Sequence, residues 1–174
     1  MVRTQMKAFA VVVAVLAAIV SAAPASAQGN DGCHVAQGKA VWTVIPPSIA
    51  PASDPLGRVA GPTTGDLKAA VTAYLTNLAF AADGIHASSV ETWVVGPQDL
   101  IRFTGSAVFT PIPGTPNVED NLTLTVLDGT GKYAGATGTL EVTGTGYNLL
   151  ASPVPEPGKV YFDVRYRGTI CSQD

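Results

Sequence analysis

The sequence predicts an all-β protein, a single antiparallel β-barrel of about eight strands that follows a cleaved signal peptide. Three observations lead there. Apolar residues recur at every second position in one segment after another of the second half. Pro, Gly, Asn and Asp break those segments at short intervals. The two cysteines, Cys33 and Cys171, stand near the two ends of the part that remains after export. Period-two segments joined by turns indicate an antiparallel sheet with one dry face, and closing such a sheet removes its unpaired edges. No internal repeat of 20–50 residues supports a propeller or solenoid.

Residues 1–27 read as the leader. Arg3 and Lys7 form a positive start, Ala8 to Val20 is a run of 13 residues without a polar side chain, and Ala25-Ser26-Ala27 supplies the small residues of a cleavage site. Thirteen residues make a helix of about 20 Å, short of the ~30 Å hydrocarbon core, so a membrane anchor is disfavoured. Cleavage after Ala27 leaves residues 28–174, starting at Gln28, as one domain in a secreted or periplasmic protein. The alanine-rich leader and the Ala/Val/Thr/Gly-rich chain read as bacterial.

The elements follow in order. Val35 to Ile45 is β-rich and stops at Pro46-Pro47. Residues 46–62 hold five prolines and no period, which predicts a loop. Gly65 to Leu78 fits either a helix or a long strand: Leu67, Lys68, Val71, Tyr74, Leu75 and Leu78 have helical spacing, while Leu67, Ala69, Val71, Ala73 and Leu75 alternate. Val90 to Val95 is a strand ended by Gly96-Pro97. In Leu100 to Thr110, residues Ile101, Phe103, Gly105, Ala107 and Phe109 share one face. The same alternation puts Leu122, Leu124 and Val126 on one face, then Leu140 and Val142, then Phe162, Val164, Tyr166 and Ile170.

Charge excludes some classes. Removing Arg3 and Lys7 from the 10 basic residues leaves 8 against 13 acidic ones, a net charge of about −5. Such a chain has no basic footprint for nucleic acid and no basic amphipathic helix for a membrane surface. Cys33 and Cys171, 138 positions apart in an exported chain, are expected to form a disulfide that clasps the first strand to the last.

Asp128-Gly129-Thr130-Gly131-Lys132-Tyr133-Ala134-Gly135-Ala136-Thr137-Gly138 has neither phosphate-loop spacing nor a following helix, so it predicts a glycine turn with positive φ angles and then a bend. A D-G-T-G-K-Y-A-G-A-x-G-x-L segment between two strands resembles the signature of the allene oxide cyclase-like and dirigent-like barrels, over residues 128–147. The resemblance implies an antiparallel eight-stranded barrel with a central pocket. No catalytic residue of either enzyme group maps onto a position of this sequence, so an activity is not implied.

The usual catalytic sets are missing from the inventory. His34 and His86 are the only histidines, no G-x-S-x-G elbow presents a serine, and Cys33, His34 and His86 lack the spacing of a zinc site. His86 reads as a solvated residue of the turn Asp83-Gly84-Ile85-His86. Trp42, Tyr74, Trp93 and Phe103 are the expected ligand-contacting residues, with no metal and no cofactor. Glu91 is the candidate acid or base, because burial beside tryptophan would raise its pKa, with Arg102 as a companion. The opposing reading makes Glu91 and Arg102 cross-strand partners on the wet outer face. These features lead to a barrel that binds a small apolar or aromatic molecule inside without chemistry. The first alternative is a cofactor-independent isomerase or cyclase of the allene oxide cyclase or dirigent kind. A surface or structural protein is the second. The oligomeric state is not legible.

Overall fold

The computed structural model describes residues 32–50, 52–153, 156 and 158–172. The leader and its cleavage site lie outside the described residues. The strands are β1 (Cys33–Ile45), β2 (Arg58–Gly65), β3 (Ala70–Ala81), β4 (Gly84–Val94), β5 (Leu100–Pro111), β6 (Val118–Thr130), β7 (Thr137–Tyr147) and β8 (Tyr161–Cys171). They close into one antiparallel barrel, each strand beside its sequence neighbour and β8 returning to β1. The closing ladder starts with Cys33 opposite Cys171, and the two cysteines form a disulfide. The expected all-β barrel and its clasp are both present.

The alternation read from sequence is the inward face of the wall. Ile101, Phe103, Gly105, Ala107 and Phe109 of β5 are buried, while Arg102, Thr104 and Ser106 are exposed. Leu122 and Leu124 of β6, Leu140 and Val142 of β7, and Phe162, Val164, Tyr166 and Ile170 of β8 complete the lining. Of residues 65–78, which fit either helix or strand, 70–78 are strand within β3: Val71 and Ala73 are buried and Leu75 is partly buried, at alternate positions. Ala73 serves here as a short inward side chain.

The proline-rich loop is shorter than expected. It ends at Gly57, and residues 58–62 already belong to β2. Pro62 is accommodated because the β1–β2 ladder is interrupted there, between the pairs Ala40–Thr63 and Thr43–Ala60, so its missing N–H costs no bond on that side. Strand β4 also starts earlier than the sequence suggests, at Gly84, so His86 lies on a strand and not in the turn. Its Nε2 still reaches Asp83 Oδ1, at 2.9 Å on the outside.

The two ends of the barrel differ. At the disulfide end, the β2–β3 turn folds Leu67 inward as a plug that is 1% exposed. Tyr166 holds it: Leu67 N–H donates to the Tyr166 hydroxyl at 3.0 Å, and that hydroxyl donates to Thr64 O at 2.9 Å. The glycine segment after β6 lies at the same end. Gly131 and Gly135 have φ of 59° and 69°, as the turn reading expected, and a Cβ on Gly131 would strike Asp99 of the neighbouring loop. Beneath it Tyr133 and Ala136 are buried.

The opposite end is open. A bulge between Leu75 and Asn77 shifts the register of β3 on β4, and β2 pairs with β3 only as far as the Arg58–Tyr74 pair. Beyond it, β3 runs on with β4 alone and leaves the wall. Its Leu78 and Phe80 are exposed, Phe80 by 78%. This departure creates the mouth.

Candidate functional site

The lower barrel is filled by side chains around Trp93, which is fully buried. Its ring meets Phe103 and Tyr166 edge-on at 5.3 Å each and Trp42 at 6.1 Å. Such edge-to-face contacts add to the apolar burial and fix the rings in place. The upper barrel is built differently. Ala73, Ala87, Ser89 and Ala107 place short side chains on β3, β4 and β5, and the space they leave is a chamber of about 40 Å³. At ~10–15 Å³ per water, it has room for about three. Trp42, Glu91 and Asp120 also line it.

Above the chamber the mouth holds a further 250 Å³ or so. Its wall is apolar, with Val44, Leu56, Leu78, Phe80, Ile85 and Leu149 among the lining residues. Val59, Leu75, Phe109 and Phe162 line both spaces. Phe109 and Phe162 pack together at that level with centroids 5.5 Å apart. The site is thus an apolar vestibule over a small chamber with acidic side chains.

Glu91 is 2% exposed. Its Oε2 accepts from Trp93 Nε1 at 2.9 Å and its Oε1 from Ser89 Oγ at 3.3 Å. Burial pushes its pKa up to about 7, against the opposing pull of those two donors. Asp120 is 3% exposed, and its Oδ1 has no hydrogen-bond partner among the described residues. Burial first, and the Glu91 charge second, raise its pKa to about 7 as well. Trp42 Nε1 is likewise buried without a partner among them. The chamber therefore contains two acids held near neutrality and unused hydrogen-bonding capacity of both kinds.

The residues singled out from sequence separate. Trp42 and Glu91 line the chamber. Trp93 and Phe103 belong to the packed core beneath it, Trp93 touching the site through its bond to Glu91. Tyr74 does not face the interior. Its neighbours Val71 and Ala73 define the inward positions, and its ring lies on the outside with the Arg58 guanidinium 5.1 Å from its centre. Arg102 is also outside, held by both oxygens of Asp128. The cross-strand pairing of Glu91 with Arg102 fails for the same reason. Glu91 stands opposite Phe103, and Arg102 opposite Thr92, so the two side chains point to opposite faces.

Asp120 was missed. It precedes Leu122 and Leu124 by the same step of two that identifies them as inward-facing, so the alternation carried the signal. Among the described residues no three His, Cys, Asp or Glu side chains gather as metal ligands. No protein-family model matches the sequence, and no curated protein or solved structure is significantly similar to it.

Proposed function

We propose that this is an exported barrel that binds a small apolar or aromatic molecule in its interior and does no chemistry on it. The observation that carries this reading is the apolar mouth standing directly over a chamber that side chains leave unfilled. Burying an apolar body there is worth about 25 cal/mol per Å² of surface removed from water. Export rests on the leader of residues 1–27, and it agrees with the Cys33–Cys171 disulfide, a bond of oxidising compartments. The eight-stranded closed barrel is the architecture that the likeness to allene oxide cyclase-like and dirigent-like proteins implies. Native mass spectrometry of gently purified protein is expected to reveal a co-purifying small molecule, and thermal shift is expected to respond to a library of apolar compounds. No bound mass and no shift with any compound would defeat this reading.

One observation favours the isomerase or cyclase alternative: two buried acids share the chamber with pKa values near 7, where a carboxyl can both give and take a proton. Enzymes of that kind act largely by shaping an apolar substrate and excluding water. The discriminating experiment is turnover of candidate substrates by Glu91→Gln. A loss of ten- to a hundredfold or more would favour the enzyme, and unchanged conversion would remove its acid–base group.

A further inference from the structure

We infer that the molecule taken up by the barrel carries a protonated amine, its ammonium seated in the chamber against Asp120 and Glu91 and its apolar body filling the mouth. This inference rests on the interior-binding reading above and adds the chemistry of the head group.

Among the described residues two carboxyl groups line the chamber and no Lys, Arg or His does. Arg58, at the mouth, is already taken by Asp54. Asp120 Oδ1 has no partner among the described residues. Each Glu91 oxygen accepts one bond and keeps capacity for another. A primary ammonium brings three donors and a positive charge to this set of free acceptors. The walls suit it too, because Trp42, Phe109 and Phe162 surround the same space and aromatic faces attract cations. The negative net charge of the chain draws cations from a distance. Until a cation arrives, burial, and for Asp120 also the Glu91 charge, keeps the two acids partly protonated. An ammonium would displace that proton to solvent.

A hydroxyl head is the nearest rival, since it could accept from Trp42 Nε1 and donate to Asp120. Charge decides between them. A buried carboxylate left without a partner costs more than an indole N–H left without one. The chamber also has room for a water beside the ammonium, and that water would accept from Trp42. The small chamber excludes an extended polar head, and the mouth demands an apolar body.

The test is calorimetric titration of the purified protein at pH 8 with octylammonium chloride, 1-octanol and sodium octanoate, which share one chain length. Octylammonium is expected to bind about tenfold or more tighter than 1-octanol, with octanoate weakest. In Asp120→Asn that advantage should shrink to about threefold or less, with 1-octanol affected little. If 1-octanol binds as tightly as octylammonium in the wild type, the head-group inference is overturned and interior binding stands. If none of the three binds at about 1 mM, the head-group inference is overturned, and interior binding falls with it only where the apolar library also gives no shift. An amine preference that persists unchanged in folded Asp120→Asn and Glu91→Gln/Asp120→Asn proteins places the ammonium elsewhere and overturns the assignment.

Discussion

Trp93 Nε1 donates to Glu91 Oε2 at 2.9 Å, two residues along the same strand and both on its buried face. The bond joins the packed lower core to the chamber above it. It fixes the orientation of the carboxyl while leaving the carboxyl inside a region of low polarity. The chemistry available to the interior follows from that arrangement.

Stability should fall as pH rises. Glu91 and Asp120 have ordinary values of 4.5 and 3.8 and folded values of about 7. A carboxyl whose pKa is raised by folding contributes stability that is fully present below the ordinary value and lost through the folded one. Thermal unfolding is therefore expected at a higher temperature at pH 5 than at pH 8, with a free-energy difference on the order of 2–3 kcal/mol per group. Glu91→Gln/Asp120→Asn should flatten the profile. A native protein that gains stability from pH 5 to pH 8 would contradict the assignment.

Reduction of Cys33–Cys171 should weaken the fold without abolishing the seam. The bond closes a loop of 138 residues, for which chain entropy gives about 5 kcal/mol as an upper figure. The β1–β8 ladder remains, so the reduced protein is expected to fold at lower temperature. Denaturant titration with and without reductant measures the difference. Equal midpoints would show that the clasp contributes nothing.

Tyr166→Phe tests the plug. It strips a buried hydroxyl that accepts from Leu67 N–H and donates to Thr64 O, leaving Leu67 N–H unsatisfied. The expected loss is about 1–3 kcal/mol. It should be accompanied by faster amide exchange in residues 64–69, with little change at the mouth. Unchanged exchange there would mean that the plug is held by packing alone.

Arg102→Ala should leave ligand binding unaltered. Its side chain meets Asp128 on the solvent side, opposite to the face that carries Glu91. A large loss of affinity in this variant would require an outward-facing site.

Most of the fold was legible because a period of two survives in each strand of the second half. The same period set Phe103 and Phe109 on one face, which the structure turns inward, and it would have grouped Asp120 with the inward leucines that follow it had the polar residue been counted. Sequence placed Glu91 beside Trp93, and the structure buries both. Tyr74 and Arg102 were named as site candidates on aromatic or charged character, which says nothing about which face of a strand a residue occupies, although the alternation in Leu100 to Thr110 already set Arg102 opposite Ile101 and Phe103. That depends on parity against the inward set, and both residues fall on the odd step. The early start of β2 was hidden by Pro62, whose strand position is tolerable only because the neighbouring ladder skips it. The mouth itself was not legible. It arises from the bulge at Leu75–Asn77, and nothing in the local composition announces one.

The most direct test of the central claim is fluorescence titration with N-phenyl-1-naphthylamine, an apolar dye, of wild type and Ile85→Trp. Ile85 is partly buried at the edge of the core and lines the mouth, so a tryptophan there fills apolar space at the open end. The account predicts saturable dye fluorescence with wild type and at least a tenfold weaker affinity with the variant, about 1.4 kcal/mol, at similar melting temperature. Equal saturable binding by both proteins would contradict an interior site entered through this mouth.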